Sequence, residues 1–428
     1  MTSFKEAVPE IIIFFQWRVI HMRKKFYASL ICLTMTAGLL AGCGGSSGSS
    51  DSGSTDSGNT DSAAAVTEEA TEVETEEAAD TSSDDSSSGG GDVKATVFWY
   101  EESDVYLSSV RTALNSELDK LGIEYDNQFA ANDQAKQIDQ IKTAIASGSN
   151  LLVVNIVTSG APDTAEDIIS AAGDIPVIFF NRAIGTDGSD VTVLNGHATS
   201  CFIGTDAPEA GHMQGKMVGD YVLEHYDDID LNGDGTISYA MMKGDEANIE
   251  AIYRTQYGVE DANAVLTAAG KPELKYFDEN NTDCYQVDLG GAWSAQAAKD
   301  YMDTNLVSFN EGNGNMIELV ICNNDGMAEG VIASLQGKGY NKDGGHVVPV
   351  FGVDATENAK ALIADGAMTG TVKQDAEGMA SAIAQSVQGI SDGKTPVDAL
   401  AALNDSRFSI ASDCSQKLFV AYAPYTGQ

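Results

Sequence analysis

Basic residues and histidine are scarce in this sequence of 428 residues. The chain has 24 lysines and arginines against 64 aspartates and glutamates. Its formal net charge of −40 at pH 7 argues against nucleic acid as a partner, because phosphate backbones select basic surfaces. With five histidines, no Ser–His or Cys–His pairing rises above chance. We therefore expect a protein that is not an enzyme and has no nucleic-acid partner.

Cysteine is infrequent as well. Six cysteines are present and none belongs to a CxxC pair, so we do not expect a zinc site. Cys32 and Cys43 lie in the N-terminal segment. The other four are widely spaced, and the sequence leaves their pairing open; they are Cys201, Cys284, Cys322 and Cys414.

The apolar run at residues 26–40 is too short to span a membrane permanently. It follows Met22 and three basic residues, which is the arrangement of a secretory signal peptide, and we predict such a signal over residues 22–42. Residues 1–21 mix apolar residues with charged ones and suit neither a signal nor a folded element. We interpret them as a non-native upstream extension, with translation starting at Met22.

The predicted signal ends in Leu40-Ala41-Gly42-Cys43, which is similar to the lipobox of bacterial lipoproteins. A lipid on Cys43 would hold the protein on the extracellular face of the cytoplasmic membrane. The alternative is an ordinary cleavage site followed by an incidental cysteine. Residues 43–92 have no aromatic residue, lysine or arginine, and their acidic residues repel one another, so we predict a disordered acidic Ser/Gly tether there.

Short apolar runs alternate with amphipathic stretches after the tether. The runs predict strands at residues 95–100, 151–157, 175–181, 200–205, 237–244, 317–324, 347–354 and 368–374. This βαβ repetition predicts parallel sheets. Because these strands are too many for one compact sheet, we predict an α/β fold of two doubly wound parallel-sheet lobes.

Polar residues follow several of these runs. In doubly wound sheets, ligands bind outside the carboxyl ends of the strands, so such residues are candidate ligand contacts. Each alone is equally compatible with a turn or a helix cap, and it is their recurrence that favours a binding site. They are Asn181, Asn323, Asn324, Asp325, Asp354, Gln374 and Asp375.

Residues 230–238 match the first nine positions of an EF-hand calcium loop. The predicted metal ligands are Asp230, Asn232, Asp234, the carbonyl of Thr236, and Ser238. Position 12, where an EF-hand has glutamate, is Met241, and the segment runs into a predicted strand. The last ligand therefore comes from elsewhere in the fold, or the site is weak or empty. An Asx-rich turn without metal is the alternative.

These features together resemble the galactose/glucose-binding members of the type I periplasmic substrate-binding proteins, which serve ABC sugar importers. The likeness runs from about residue 95 to 422 and includes residues 131–137, 177–181, 317–325 and 350–354. It implies a first lobe of residues 93–203 and 376–419 and a second of residues 204–375 and 420–428. Three crossings, near Ile203, Asp375 and Val420, would form the hinge. It also implies that Glu318 is the missing ligand of a structural Ca²⁺.

For the sugar, the resemblance implies two aromatic rings that stack on opposite faces of a pyranose, here Tyr106 and Trp293. The positions that match the polar contacts of the family are Asp104, Asn181, Arg254, Asn324 and Asp354. At three further positions of the same predicted site, the sequence departs from the family pattern: Asn248, Glu250 and Gln374 stand where the family has His, Asp and Asn. Tyr106 and Trp293 as core residues, and Arg254 as an exposed helix charge, are the alternatives.

The expected function is that of a monomeric binding protein. It would close around galactose, glucose or a methyl galactoside and deliver the sugar to the permease subunits of an ABC importer. One alternative is a sensor subunit that presents its closed form to a membrane kinase or chemoreceptor. Another is a glycosidase that uses Asp104, Glu250 and Asp354. A transcription regulator is not expected, because a signal and tether stand where its DNA-binding helices would be.

Overall fold

The computed structural model describes residues 93–427. The predicted extension at 1–21, the predicted signal at 22–42, the predicted tether at 43–92 and the predicted acylation of Cys43 lie outside the described residues. None of the helices in the described part of the chain has the length and apolar character that crossing a bilayer requires.

The described residues form fourteen strands. They are β1 (Lys94–Trp99), β2 (Glu124–Phe129), β3 (Leu151–Val154), β4 (Val177–Phe180), β5 (Ser200–Gly204), β6 (Ser238–Lys243), β7 (Lys275–Tyr276), β8 (Gln286–Val287), β9 (Leu319–Cys322), β10 (Val350–Asp354), β11 (Gly370–Gln374), β12 (Phe408–Ile410), β13 (Lys417–Val420) and β14 (Tyr422–Tyr425).

Twelve α-helices alternate with these strands within residues 93–427. They are α1 (Val105–Leu121), α2 (Gln134–Ala146), α3 (Pro162–Ala172), α4 (Ser189–Gly196), α5 (Ala207–Glu224), α6 (Tyr226–Ile229), α7 (Ile249–Ala268), α8 (Ala295–Ser308), α9 (Asp325–Lys338), α10 (Glu357–Ala364), α11 (Ala376–Ser391) and α12 (Pro396–Ala401), with a 3₁₀ turn at Glu311–Asn313.

The strands form two sheets, and each sheet defines one lobe. The first sheet has the order β12-β13-β5-β4-β3-β1-β2, and the second has the order β14-β11-β10-β9-β6-β7, with β8 also on β6. All pairs are parallel except β12 with β13 and β11 with β14. The predicted α/β fold with two doubly wound lobes is therefore confirmed.

The chain passes between the two sheets three times. The links follow β5, β11 and β13, between Gly204 and Ala207, at Asp375, and at Ala421. Both faces of each sheet are covered, because separate apolar clusters lie on either side of each one. The central strands are accordingly buried along their whole length, which is why they read as continuous apolar runs.

Several strands were not predicted, namely β2, β7, β8, β12, β13 and β14. Strand β2 has the sequence EYDNQF and lies at a sheet edge, where one side faces solvent and polar residues are tolerated. Strands β7 and β8 have two residues each, too few for a periodic pattern. All four cysteines of the described region are free, and Cys201, Cys322 and Cys414 are buried.

Two glycines let α5 pack closely against α7. A Cβ atom on Gly211 would lie 2.4 Å from the carbonyl oxygen of Tyr253, and one on Gly215 would lie 2.2 Å from that of Tyr257. No side chain larger than hydrogen fits at this helix crossing. The contact fixes the position of α7, whose first turns carry Glu250 and Arg254.

Candidate functional site

One cavity lies between the lobes, at the carboxyl ends of the strands, and contains the whole predicted sugar site. Its empty space, counted out to the open mouth, is about 390 Å³. The residues that line it are Tyr100, Asp104, Tyr106, Asn181, Arg182, Asn248, Glu250, Arg254, Trp293, Asn324, Asp354 and Gln374. All ten predicted contacts are among them; Tyr100 and Arg182 were not predicted.

Two aromatic side chains enter this cavity from opposite lobes. Tyr106 lies in the first turn of α1, and Trp293 lies just before α8; both are almost fully buried. Trp293 has a left-handed backbone conformation, with φ of 56°. Its ring occupies space beside Gly244, where a Cβ atom would lie 2.2 Å from ring carbons. The glycine at the end of β6 therefore determines where the indole can lie.

Asn181 ends β4 in the left-handed region, with φ of 59°, a conformation that asparagine tolerates better than most residues. Its side-chain oxygen accepts a hydrogen bond of 3.2 Å from Nδ2 of Asn155. Asn155 is fully buried and also donates to the carbonyl of Phe180. Asn155, which was not predicted, thus orients the Asn181 amide.

Arg254 is the centre of a buried polar network. Its Nη1 donates to the carbonyl oxygen of Asn323 at 2.9 Å. Its Nη2 lies within 3.1 Å of oxygens of Glu250, Gln374 and Tyr422. Burial by itself lowers the pKa of the guanidinium, but Tyr422 and Glu250 offset this, so the pKa of Arg254 is raised and the group stays cationic. Arg254 is thus not the exposed helix charge of the alternative interpretation.

Glu250 is held by the same network. One carboxylate oxygen accepts from Thr205 at 2.8 Å, and the other accepts from Arg254 and from the Tyr422 hydroxyl. Both oxygens of Glu250 are therefore engaged within the protein. Thr205 and Tyr422 were not predicted; Tyr422 is on β14, one of the strands that the hydrophobic pattern did not reveal.

Two aspartates provide hydrogen-bond acceptors in the cavity. Asp104 caps α1 by accepting from the Leu107 amide at 2.9 Å, and it accepts from the Tyr100 hydroxyl at 2.8 Å. Burial raises the pKa of Asp104, and these hydrogen bonds oppose that rise. Asp354 ends β10 with φ of 129°. Burial, and then the nearby Asp325, raise the pKa of the Asp354 carboxyl well above its ordinary value.

Several buried polar atoms in the cavity have no partner among the described residues. They are the Tyr106 hydroxyl, Nε of Arg182, Nε of Arg254 and Nε2 of Gln374. The Asp354 carboxylate likewise accepts no hydrogen bond from residues 93–427. Because an unpaired buried polar group costs about 1–3 kcal/mol, these atoms indicate a site built for a ligand with several hydrogen-bonding groups.

Three of the strand-end candidates lie behind the cavity and do not line it. Asn323 contributes its carbonyl to Arg254 and accepts from the Gly244 amide with its side chain. Asp325 accepts from the Thr371 hydroxyl and the Thr356 amide. Asp375 is paired with Lys373 and Arg407. These residues serve as structural supports, because their side chains are satisfied by protein groups.

Direct contacts join the two lobes beside the cavity. Arg182 of the first lobe forms an ion pair of 3.2 Å with Asp245 of the second, and their side chains are only 5% and 19% exposed. Asn132 donates across the same boundary to the carbonyl of Gly290 at 2.7 Å. Arg182 also lies over the Tyr100 ring, 4.1 Å from its centroid. The lobes are therefore in a closed arrangement.

Glu318 lies against the predicted calcium loop at residues 230–238, although it is distant from that loop in the sequence. One carboxylate oxygen of Glu318 accepts from the Asn232 amide, and the other accepts from the amide of Ser238, each at 2.8 Å. Asp230 accepts from the amides of Asp234 and Gly235. Oxygen donors of this kind suit a hard cation. Within residues 93–427, however, no three Asp, Glu, His or Cys side chains converge as a metal cluster.

The sequence and the fold are similar to those of known binding proteins. Residues 95–395 match the periplasmic binding protein domain. The chain is 30% identical over 302 residues to the D-galactose/methyl-galactoside binding periplasmic protein MglB of Haemophilus influenzae, covering 70% of this chain and 82% of that protein. It is 26% identical over 286 residues to the multiple sugar-binding periplasmic protein SbpA of Azospirillum brasilense, covering 65% and 71%.

Solved structures share the fold at lower identity. A solute-binding protein of Bacillus halodurans with bound myo-inositol has a TM-score of 0.57 at 21% identity, over 79% of this chain and 96% of that one. One of Clostridium phytofermentans with bound β-D-glucose has a TM-score of 0.57 at 20% identity, over 78% and 94%. The match to the periplasmic binding protein domain and to MglB confirms the prediction that the chain is not an enzyme.

Proposed function

The chain belongs to the periplasmic binding protein family that includes the sugar-binding proteins of ABC importers, and from this we propose that it binds a hexose. The proposed ligand is galactose, glucose or a methyl galactoside. The protein closes around the sugar and delivers it to the permease subunits of the importer. Both walls of the cleft come from one chain, which suits a monomer.

The observation that carries the proposal is that Tyr106 and Trp293, from opposite lobes, line one cavity together with polar groups. The C–H faces of a pyranose pack well on aromatic rings, and its rim needs directed hydrogen bonds. Asp104 and Asp354, in their ionised forms, supply charged acceptors for hydroxyl groups. Arg182, Arg254 and Gln374 supply the unpaired N–H donors.

We predict that titration calorimetry of the full-length chain against hexoses and pentoses finds one hexose bound at micromolar concentration or tighter. Asp354→Asn weakens that affinity by roughly 10- to 100-fold, because a charge-assisted hydrogen bond contributes about 1.5–3 kcal/mol. Since burial raises the pKa of Asp354, the wild-type affinity falls as the pH drops through that raised value, and the Asn variant loses this dependence. The exposed Glu117→Gln is the control. Failure of every sugar to bind at millimolar concentration contradicts the proposal.

The ion pair between Arg182 and Asp245 supports a role in closure. It joins the lobes at the edge of the cavity and is largely shielded from water, so it favours the closed form. Opening the hinge separates the two charges. The links between Gly204 and Ala207, at Asp375 and at Ala421 are the proposed hinge.

We predict that Asp245→Asn releases bound sugar about tenfold faster while association changes about twofold or less, because losing a shielded charge pair acts mainly on dissociation. Stopped-flow tryptophan fluorescence with D-galactose or D-glucose, whichever binds, measures both rates. The asparagine can still accept from the Ala247 amide, so the local turn is kept. Glu117→Gln breaks an exposed pair within one helix and serves as the control. An unchanged release rate in Asp245→Asn refutes the closure role.

A structural Ca²⁺ is proposed for the loop at residues 230–238. Asp230, Asn232, Asp234, Thr236 and Ser238 would hold it, with Glu318 as the ligand from outside the loop; these six residues offer only oxygen donors. Contact of Glu318 with the Asn232 and Ser238 amides supports the proposal, because it brings the carboxylate to the loop. The ion would bind the folded state and not the unfolded chain, and so stabilise the second lobe.

We predict that a calcium chelator lowers the melting temperature of the wild-type protein, measured by calorimetry. In Asp234→Ala and Glu318→Ala the chelator has no further effect. Asp303→Ala, which removes a carboxylate from α8, retains the wild-type drop. A chelator-insensitive wild type rules out the site.

Lipid anchoring at Cys43 is proposed from the sequence similarity of residues 40–43 to a lipobox, and it accords with the extracytoplasmic location of the family. We predict that the wild-type protein fractionates with membranes and that Cys43→Ala is not acylated and leaves the membrane fraction. Cys201→Ala, at a buried free cysteine, stays with the membrane. Metabolic labelling with a fatty acid and cell fractionation measure this. An unlabelled wild-type protein would show that the cysteine is incidental.

A further inference from the structure

A second cavity adjoins the first one. Its empty space, counted out to the open mouth, is about 710 Å³, against about 390 Å³ for the first counted in the same way, so the second is the larger of the two. Asn181 and Glu250 line both cavities. The second cavity is also formed by both lobes, since Ile184 and Lys417 come from the first and Pro208 and Tyr253 from the second.

The two cavities meet at the interface between the lobes. Asn181 belongs to the first lobe and Glu250 to the second, and within the described residues no hydrogen bond joins them. Glu250 is turned toward Thr205, Arg254 and Tyr422 by its own hydrogen bonds. Asn181 and Glu250 are therefore the side chains that the two cavities share, and no hydrogen bond between them within residues 93–427 closes the boundary.

The walls of the second cavity combine an aromatic face with carboxylates, as in the first. Tyr253 supplies the ring, which is stacked on Tyr257 with a centroid distance of 5.6 Å and an angle of 3°. Asp187 and Asp206 lie near the Tyr253 hydroxyl, and neither forms an ion pair within residues 93–427. Phe202 and Phe419 contribute apolar surface. An aromatic face with free carboxylate acceptors suits a group with C–H faces and hydroxyl donors, which is a sugar ring.

The charge of the second cavity limits what it can accept. Lys417 is its cationic side chain, and it is already paired with Asp190 at 2.6 Å and with Asp413 at 3.7 Å. Asp187 and Asp206 leave an excess of negative charge. An anionic group such as a phosphate or a uronate would be repelled there.

Building on the proposed function, we infer that the second cavity is a subsite for the second sugar residue of a disaccharide whose first residue occupies the cavity of Tyr106 and Trp293. The preferred ligand is then a hexosyl glycoside with a neutral, hydroxylated second ring.

The test is titration calorimetry on the full-length chain with free D-galactose and D-glucose, their α- and β-methyl glycosides, and neutral disaccharides that carry each hexose at the non-reducing end in either anomeric form. One disaccharide is expected to bind at least tenfold more tightly than its free hexose. Tyr253→Ala is expected to weaken that disaccharide about tenfold or more while the free hexose changes about twofold or less. Ala183→Phe, which fills the second cavity from the other lobe, is expected to do the same.

Tyr221→Ala is the matched control, because it removes a half-buried tyrosine of the same lobe that lines neither cavity. It should leave both affinities unchanged. If a free hexose binds and every disaccharide binds more weakly than it does, the subsite is refuted and the proposed function stands. Equal losses for hexose and disaccharide in both Tyr253→Ala and Ala183→Phe also refute it. If no free sugar and no glycoside binds, the proposed function itself fails and the subsite with it.

Discussion

The ion pair between Arg254 and Glu250 is the interaction on which the cleft depends. Its hydrogen bonds reach Thr205, Gln374 and Tyr422, and these three residues adjoin the three links between the lobes. Burying two charges is costly unless every other polar contact is satisfied, and here neighbouring groups satisfy most of them. The network therefore holds the floor of the cleft and the ends of the hinge segments in one arrangement.

The two departures from the family pattern within this network have a structural explanation. The Glu250 side chain is longer than that of aspartate and reaches both Thr205 and Arg254, so its carboxylate is hydrogen-bonded to protein groups. Gln374 reaches Arg254 with its oxygen and keeps its Nε2 unpaired. The contribution of Glu250 to ligand selection is thus mainly through the position of Arg254, and that of Gln374 is through a free N–H.

Backbone conformation at the strand ends accounts for how the cleft is lined. Asn181, Trp293 and Asp354 all have positive φ, and each follows or ends a segment that leads into the cavity. Strained conformations of this kind cost about 1–3 kcal/mol and persist only where the surroundings enforce them. Here Asn155 supports Asn181, and the absence of a side chain at Gly244 makes room for Trp293.

The sequence by itself determined the two-lobed α/β fold and ten of the twelve residues that line the first cavity. Buried parallel strands appear in the sequence as apolar runs, and the polar residues at their ends converge in such a fold. The resemblance to a family was needed to find the other members of the cavity, namely Tyr106, Trp293, Asp104, Asn248, Glu250 and Arg254. The tertiary structure alone decided the rest. Asn155, Thr205 and Tyr422 act on the cleft through contacts between distant segments, and Tyr422 lies on a short antiparallel strand with no distinctive periodicity. The pairing of Arg182 with Asp245 and the second cavity exist only because two lobes meet, and no local pattern encodes a contact between surfaces that are far apart in the chain.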